Sequence, residues 1–280
     1  MVVLVTGANG QLGQALQYIA PKYPEIQFHF CNSSELDISN QESIASAFEK
    51  VKPQFCINAA AYTAVDKAET ETEKAHLINA IGAKNVAEIC NRYATTLLHV
   101  STDFVFDGNQ NTPYNEDDIT NPQGVYGATK RAGELEIIQT LKSYFIIRTS
   151  WLYSQFGNNF MKTMLRLGQE KTELNVVDDQ IGTPTHAVDL AEMLMKIIQS
   201  NSRNYGVYHF SNEGSISWYY FAKKIFELNN ITINLHPIPT AQYPTPAKRP
   251  KYSVLDKSKI KKEFHTTIPT WDKALESHSK

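Results

Sequence analysis

The sequence predicts an α/β fold, a doubly wound parallel sheet with a smaller C-terminal domain. Three observations carry this. Strand-like and helix-like segments alternate over the first half, a glycine-rich turn joins the first strand to the first helix, and the alternation loosens after Trp151. Strand–helix–strand repeats set parallel strands side by side with helices on both faces.

The elements follow in order. VVLVT (2–6) is a β-branched run without polar alternation, as in a strand covered on both faces. The helix QLGQALQYIA (11–20) comes next, ended by Pro21 and Pro24, and IQFHF (26–30) is the second strand. NQESIASAFEKV (40–51) is a helix with Ser39 or Asn40 as its cap and Pro53 past its end. FCINAA (55–60) is the third strand. Leu77, Ile78, Ile81, Val86 and Ile89 mark a long helix over 71–92, and TLLHVST (96–102) is the fourth strand. A loop rich in Asn, Asp, Pro and Gly covers 107–124, before a helix at 127–141 and a strand at 144–151. Beyond Trp151 the pattern gives helices at 158–168, 186–200 and 217–228, and strands at 174–179 and 207–211. Five prolines within 235–252 disfavour regular structure, so this stretch reads as a loop across the mouth of a site.

Composition narrows the function. The 280 residues are 42 % apolar and 20 % charged, with a net charge of −2. That balance suits a globular protein and supplies no basic field for nucleic acid. Cys31, Cys56 and Cys90 are far apart and lack metal-ligand spacing, so a disulfide framework or zinc site is not expected. No stretch reaches the length of a membrane span, and the N-terminus lacks the basic start of a signal peptide. A cytoplasmic location follows as the expectation.

The turn reads Thr6-Gly7-Ala8-Asn9-Gly10-Gln11-Leu12-Gly13, with spacing Gly-x-x-Gly-x-x-Gly. Glycines permit a tight turn and let backbone approach a pyrophosphate, which the amide groups of a helix N-terminus attract. Gly7, Gly10 and Gly13 are therefore candidate dinucleotide contacts in a Rossmann-type domain. The second strand ends in FCNSSEL, with neither the carboxylate expected for a free ribose nor the arginine expected for a 2′-phosphate. NADPH and NADH both stay open. Asp37 and Ile38 follow as candidates to bond and pack against adenine, and Asn58-Ala59-Ala60-Ala61 lets chain or cofactor pass closely. The predicted division is a dinucleotide-binding domain over 1–150, with later sheet elements from about 174–212, and an interleaved, mainly substrate-binding part over 151–280.

In QGVYGATK (123–130), Tyr126 and Lys130 stand four apart and share a helix face. A phenol is a weak acid, and a nearby ammonium favours its ionised form. The pair alone is a common surface pattern. Ser101-Thr102-Asp103 closes the fourth strand, at the carboxyl edge where parallel sheets bind ligands. Hydroxyl, phenol and ammonium around a carbonyl make a hydride-transfer site. His99, His186 and His209 have no catalytic or metal-ligand spacing and read as structural, the adjacent Asp178 and Asp179 read as a solvated turn, and no metal site is expected.

TGANGQLG, NAAA, STDFVFDG and YGATK, in this order, resemble the extended short-chain dehydrogenase/reductase superfamily. Within it, STDFVFDG, AVDKAE (64–69), RTSWLY (148–153) and DDQIGTPT (178–185) resemble the dTDP-4-dehydrorhamnose reductase family. The resemblance implies reduction of the C4 ketone of dTDP-4-dehydro-L-rhamnose. Tyr126 would be the acid. Lys130 would hold the nicotinamide ribose and lower the phenol's pKa, and Thr102 would bond the same ketone oxygen. Asp103 and Trp151 match sugar-contacting positions; Gly10, Gln11, Leu12, Asp37, Ile38, Ala61, Tyr62 and Thr63 match cofactor-contacting ones. Phe104 departs from the family's tyrosine after Ser-Thr-Asp. A non-catalytic dinucleotide-binding subunit and a nucleotide-sugar epimerase are the alternatives, and a homodimer is compatible with the chain.

Overall fold

In a computed structural model, residues 1–277 are described. Six parallel strands form the main sheet: β1 (Val2–Thr6), β2 (Gln27–Cys31), β3 (Phe55–Asn58), β4 (Thr96–Thr102), β5 (Tyr144–Thr149) and, after four intervening strands of the chain, Gly206–His209. The spatial order is Gly206–His209, β5, β4, β3, β1, β2. The first crossover carries β1 outward to β2 and the next returns to β3, so β1 and β3 flank the crevice where a doubly wound sheet takes its ligand.

The alternation of strand side chains builds two cores. Val3, Val5, Ile57, Leu98, Phe145 and Ile147 pack under α1 (Gln11–Ile19) and the helix Ala187–Ser200. Leu4, Cys56, Leu97 and Ile146 face α2 (Gln41–Val51), α3 (Gly82–Arg92) and α4 (Val125–Thr140). Each fully covered aliphatic side chain contributes roughly 1.5–3 kcal/mol. Asn40 caps α2 by accepting from Glu42 N and Ser43 N, and Lys52 ends it in the left-handed region.

Three expectations are corrected. The long helix over 71–92 is interrupted: Thr72–His76 leads into a π turn, Leu77–Ile81, before α3. Asn79, buried in that turn, has a job outside the helix, described below. The strand expected at 174–179 is Glu173–Val177, but it pairs with Asn234–Ile238 in a separate two-stranded sheet, so only Gly206–His209 of the later strands joins the main one. The proline-rich stretch therefore begins with a strand, Asn234–Ile238, which tolerates Pro237 because it lies on a sheet edge. A third apolar cluster, with Met161, Met164, Val176, Phe221, Ile225 and Phe226, forms beneath this small sheet. No helix among the described residues is long and apolar enough to cross a membrane.

Candidate active site

The glycine turn closes because nothing larger fits. Gly7 sits at φ +68°, and a Cβ there would meet Ala60 N at 2.7 Å; one on Gly13 would meet Gly7 O at 2.4 Å. Gly10 starts α1 without a side-chain cap. The first amide groups of α1, at Gln11 and Leu12, therefore face outward past the ends of β1 and β3, a cradle suited to a diphosphate. The Leu12 side chain turns into the core. Gln11 fastens the turn to the segment after β5, donating to Leu152 O at 3.0 Å and accepting from Asn159 Nδ2 at 2.7 Å.

Farther along the crevice, the exposed Asp37 carboxylate accepts from Ser39 N and Oγ at 2.9 and 2.7 Å, while Ile38 packs on Gly82, where a Cβ would come within 2.8 Å of it. Ala61-Tyr62-Thr63 is held by Asn79, which accepts from Tyr62 N at 2.8 Å and donates to Tyr62 O at 3.0 Å and Thr129 Oγ1 at 3.1 Å. The π turn brings Asn79 to this position, and Gly133 lets α4 pass against its carbonyl. Sequence reasoning did not single out Asn79; a polar residue at an apolar phase of the helix pattern was the available signal.

α4 begins at Val125, two residues before its expected start, so Tyr126 lies in the first turn. Glu69 accepts from Val125 N at 2.9 Å and anchors that end. Gly127 lies against Phe104 O, where a Cβ would stand 2.2 Å away, and this close approach sets Tyr126 beside the end of β4. The Thr102 hydroxyl favours the ionised phenol, and the phenol's ring meets Phe104 edge-on at 5.6 Å. Thr102 Oγ1 also donates to Asp103 Oδ1 at 3.0 Å, so its one proton has two acceptors in reach.

Burial pushes the Tyr126 phenol up to about 12; the Thr102 hydroxyl opposes this and the Asp103 charge adds to it. Burial likewise raises Asp103 to about 6, against bonds from Ser253 and Thr102. The Lys130 ammonium is turned to Val100 O at 2.7 Å and His99 Nε2 at 3.3 Å rather than acting on the phenol, and burial lowers it to about 8 while Glu134 opposes the fall. The expected depression of the phenol by Lys130 is thus not present in this arrangement. His99, expected to be purely structural, touches Lys130.

Trp151 adopts φ +46°, its ring sandwiched between Gly182 and Trp218, with the two indoles 3.4 Å apart and 7° from parallel. Trp218 and Phe160 line a cleft of about 960 Å³ whose far wall carries Tyr243 and Arg249. Tyr126 and Thr102 do not line it, and Trp151 meets it only through the stacked Trp218. Arg249 bonds Asp66 with both arms, at 3.0 and 2.8 Å, tying the proline-rich segment to the short helix Val65–Ala68. Asp178 and Asp179 accept from Ser217 and Thr240, and no cluster among the described residues could hold a metal ion. The three cysteines are free thiols.

Residues 1–280 match the family model described as RmlD substrate binding domain. A dTDP-4-dehydrorhamnose reductase of Aggregatibacter actinomycetemcomitans is 42 % identical, covering 98 % of this chain and 97 % of its own, and that of Escherichia coli K12 is 40 % identical over 97 % and 94 %. A solved dTDP-4-dehydrorhamnose reductase from Bacillus anthracis, in complex with NADP, superposes with a TM-score of 0.95 at 43 % identity, covering 99 % and 98 % of the two chains. The chain belongs to the dTDP-4-dehydrorhamnose reductase family. In this chain the Tyr126 phenol and the Thr102 hydroxyl lie at the β4 edge, with β3 between that strand and the β1 glycine turn.

Proposed function

We propose that the protein reduces the C4 ketone of dTDP-4-dehydro-L-rhamnose to dTDP-L-rhamnose, with NADPH or NADH as reductant. The observation that carries this is the Tyr126–Thr102 hydroxyl pair at the carboxyl edge of β4. The cofactor supplies hydride when bound, and Gly7, Gly10, Gly13 and the first amides of α1 would hold its diphosphate. Ile38, Asp37 and the 61–63 loop border the same crevice.

In this reading Tyr126 gives its proton to the ketone oxygen as carbon is reduced, and the O–H of Thr102 bonds the phenolate left behind. Lys130 supplies positive charge under the site and hydrogen-bonds the cofactor ribose. Asp103 and the Trp151 indole bracket the deoxysugar. The 960 Å³ cleft suits the nucleotide: Trp218 and Tyr243 offer faces to a base, and Arg249 offers a guanidinium near the diphosphate. This assigns 1–150 with Gly206–His209 mainly to cofactor and the rest of 151–280 mainly to substrate.

Oxidation of NADPH and NADH, followed by absorbance with the keto-sugar nucleotide present, tests the proposal. Clean protein that turns over neither cofactor would remove it. A cytoplasmic, homodimeric enzyme without nucleic-acid or membrane partners belongs to the same reading; fractionation and light scattering check those points.

A further inference from the structure

Thr6, Asn58 and His99 are register partners on β1, β3 and β4, so the sheet aligns them on the face beneath α4. All three are buried. Thr6 Oγ1 lies 2.6 Å from Asn58 Oδ1, Asn58 Nδ2 lies 3.1 Å from His99 Nδ1, and His99 Nε2 lies 3.3 Å from Lys130 Nζ. This polar row crosses half the sheet and ends on the lysine.

Its direction follows from hydrogen-bond chemistry. A separation of 2.6 Å fits O–H···O and is short for N–H···O, so the amide oxygen faces Thr6 and the amide nitrogen faces His99. An amide nitrogen only donates, so His99 Nδ1 accepts. Burial and the Lys130 charge hold the imidazole neutral, well below its usual range. A neutral ring that accepts at Nδ1 carries its hydrogen on Nε2 and aims it at Lys130. An ammonium has no lone pair to receive that hydrogen; an amine has one.

We infer that His99, locked as the Nε2–H tautomer by Asn58 and Thr6, is a positioning residue that stabilises the neutral amine of Lys130 and so allows Lys130 to release a proton during turnover. The inference rests on the role proposed above for Lys130. Once the ketone has taken the phenol's proton, a Lys130 N–H bond breaks and the Tyr126 O–H bond reforms, the proton crossing through water because Nζ, turned to Val100 O and His99, does not touch the phenol, and the amine regains a proton from solvent. The opposing influences are Val100 O, which accepts from Nζ at 2.7 Å, and Glu134, one turn along α4, whose carboxylate favours the ammonium and is itself held by Arg148 and Arg131. Tyr126, one turn before Lys130 with Asp103 beyond it, and His99 from β4 are the other titratable groups around it.

Asn58→Asp reverses the row. A carboxylate accepts only, so Nδ1 must carry the hydrogen and Nε2 must offer its lone pair to the ammonium. Nitrogen NMR of histidine-labelled protein should show the Nε2–H tautomer of His99 in the parent and Nδ1–H in Asn58→Asp. The alkaline limb of the kcat profile should rise by about one pH unit, a tenfold change in proton concentration. His99→Gln, which can turn an uncharged amide oxygen toward Nζ, should move the limb the same way and covers the case in which Asn58→Asp does not fold. An Nδ1–H tautomer in the parent, or profiles of the folded variants superposable on the parent's, would overturn the inference. Lys130→Met separates the two levels: full turnover there refutes the role of the lysine itself, whereas a dead Lys130→Met with unshifted profiles in the other variants refutes the role of His99 alone.

Discussion

Arg148 grips Glu134 through two parallel bonds, Nε to Oε1 at 2.9 Å and Nη2 to Oε2 at 2.8 Å, with both side chains buried between β5 and α4. Arg131 adds a third bond at 2.8 Å, and Arg148 lies over the Phe106 ring with its carbon 5.1 Å from the centroid. These bonds fix the helix turn that follows Lys130 and hold the Glu134 carboxyl below its ordinary value, against burial.

Removing one partner from such a pair strands the other charge in the core. Glu134→Gln should cost about 3–5 kcal/mol in urea unfolding at neutral pH. The sign with pH follows from the lowered carboxyl: its contribution is complete above the unfolded value of 4.5 and is lost as pH falls through the folded one. The difference between parent and variant should therefore shrink in acid; a gap that grows in acid would contradict the assignment.

Tyr126→Phe keeps the ring, its contact with Phe104 and the packing of the first turn of α4, and removes the proton. Turnover should fall by about 100- to 10,000-fold while the binding of NADPH, read by fluorescence, stays within twofold or so. Thr102→Val should lower turnover less, because the phenol keeps its proton and loses one hydrogen-bond partner. A Tyr126→Phe protein with parental kcat would remove this residue as the acid.

Much of this site could be read in the chain because local rules set it. The run at 2–6, the glycines at 7, 10 and 13, and the strand 96–102 need only periodicity and turn chemistry, and their positions in the fold agree with that reading. Asn79, His99 and Trp218 were not legible for the opposite reason. Each acts through a neighbour brought in by the sheet register, a π turn or a stacked indole, and none has a sequence-local partner. The pairing of Glu173–Val177 with Asn234–Ile238 depends on a strand nearly sixty residues on, so the sequence pattern gave the strand and not its sheet.

Gly13→Ala tests the cradle. A methyl group would sit 2.4 Å from Gly7 O and 2.6 Å from Ala8 O, both backbone atoms that no rotamer change can clear. The turn must open, and the first amides of α1 lose their aim at the diphosphate. Calorimetric titration should show the dissociation constant for NADPH raised by at least about tenfold, the equivalent of 1.4 kcal/mol. Unchanged affinity in a folded variant would place the dinucleotide elsewhere.

Asp103 has the widest reach into both stability and turnover. Burial lifts its carboxyl from 3.8 to about 6, so the folded protein binds its proton more tightly than the unfolded chain does. By linkage, this group weighs nothing against the fold well below pH 4, and its cost rises through about pH 4–6 to a plateau. Asp103→Asn is neutral throughout and avoids that cost. Relative to the parent it should gain up to about 3 kcal/mol between strongly acid and neutral conditions, two pKa units at 1.36 kcal/mol each. Urea titrations at the two extremes measure this difference, from which any constant loss of hydrogen bonds cancels. The same ionisation redirects the Thr102 proton. With Asp103 charged, Thr102 donates to it; with Asp103 neutral, that proton is free to serve the phenolate of Tyr126. The kcat profile of the parent should therefore contain a transition near pH 6 that disappears in Asp103→Asn, and a transition persisting unchanged in the variant would assign it to another group.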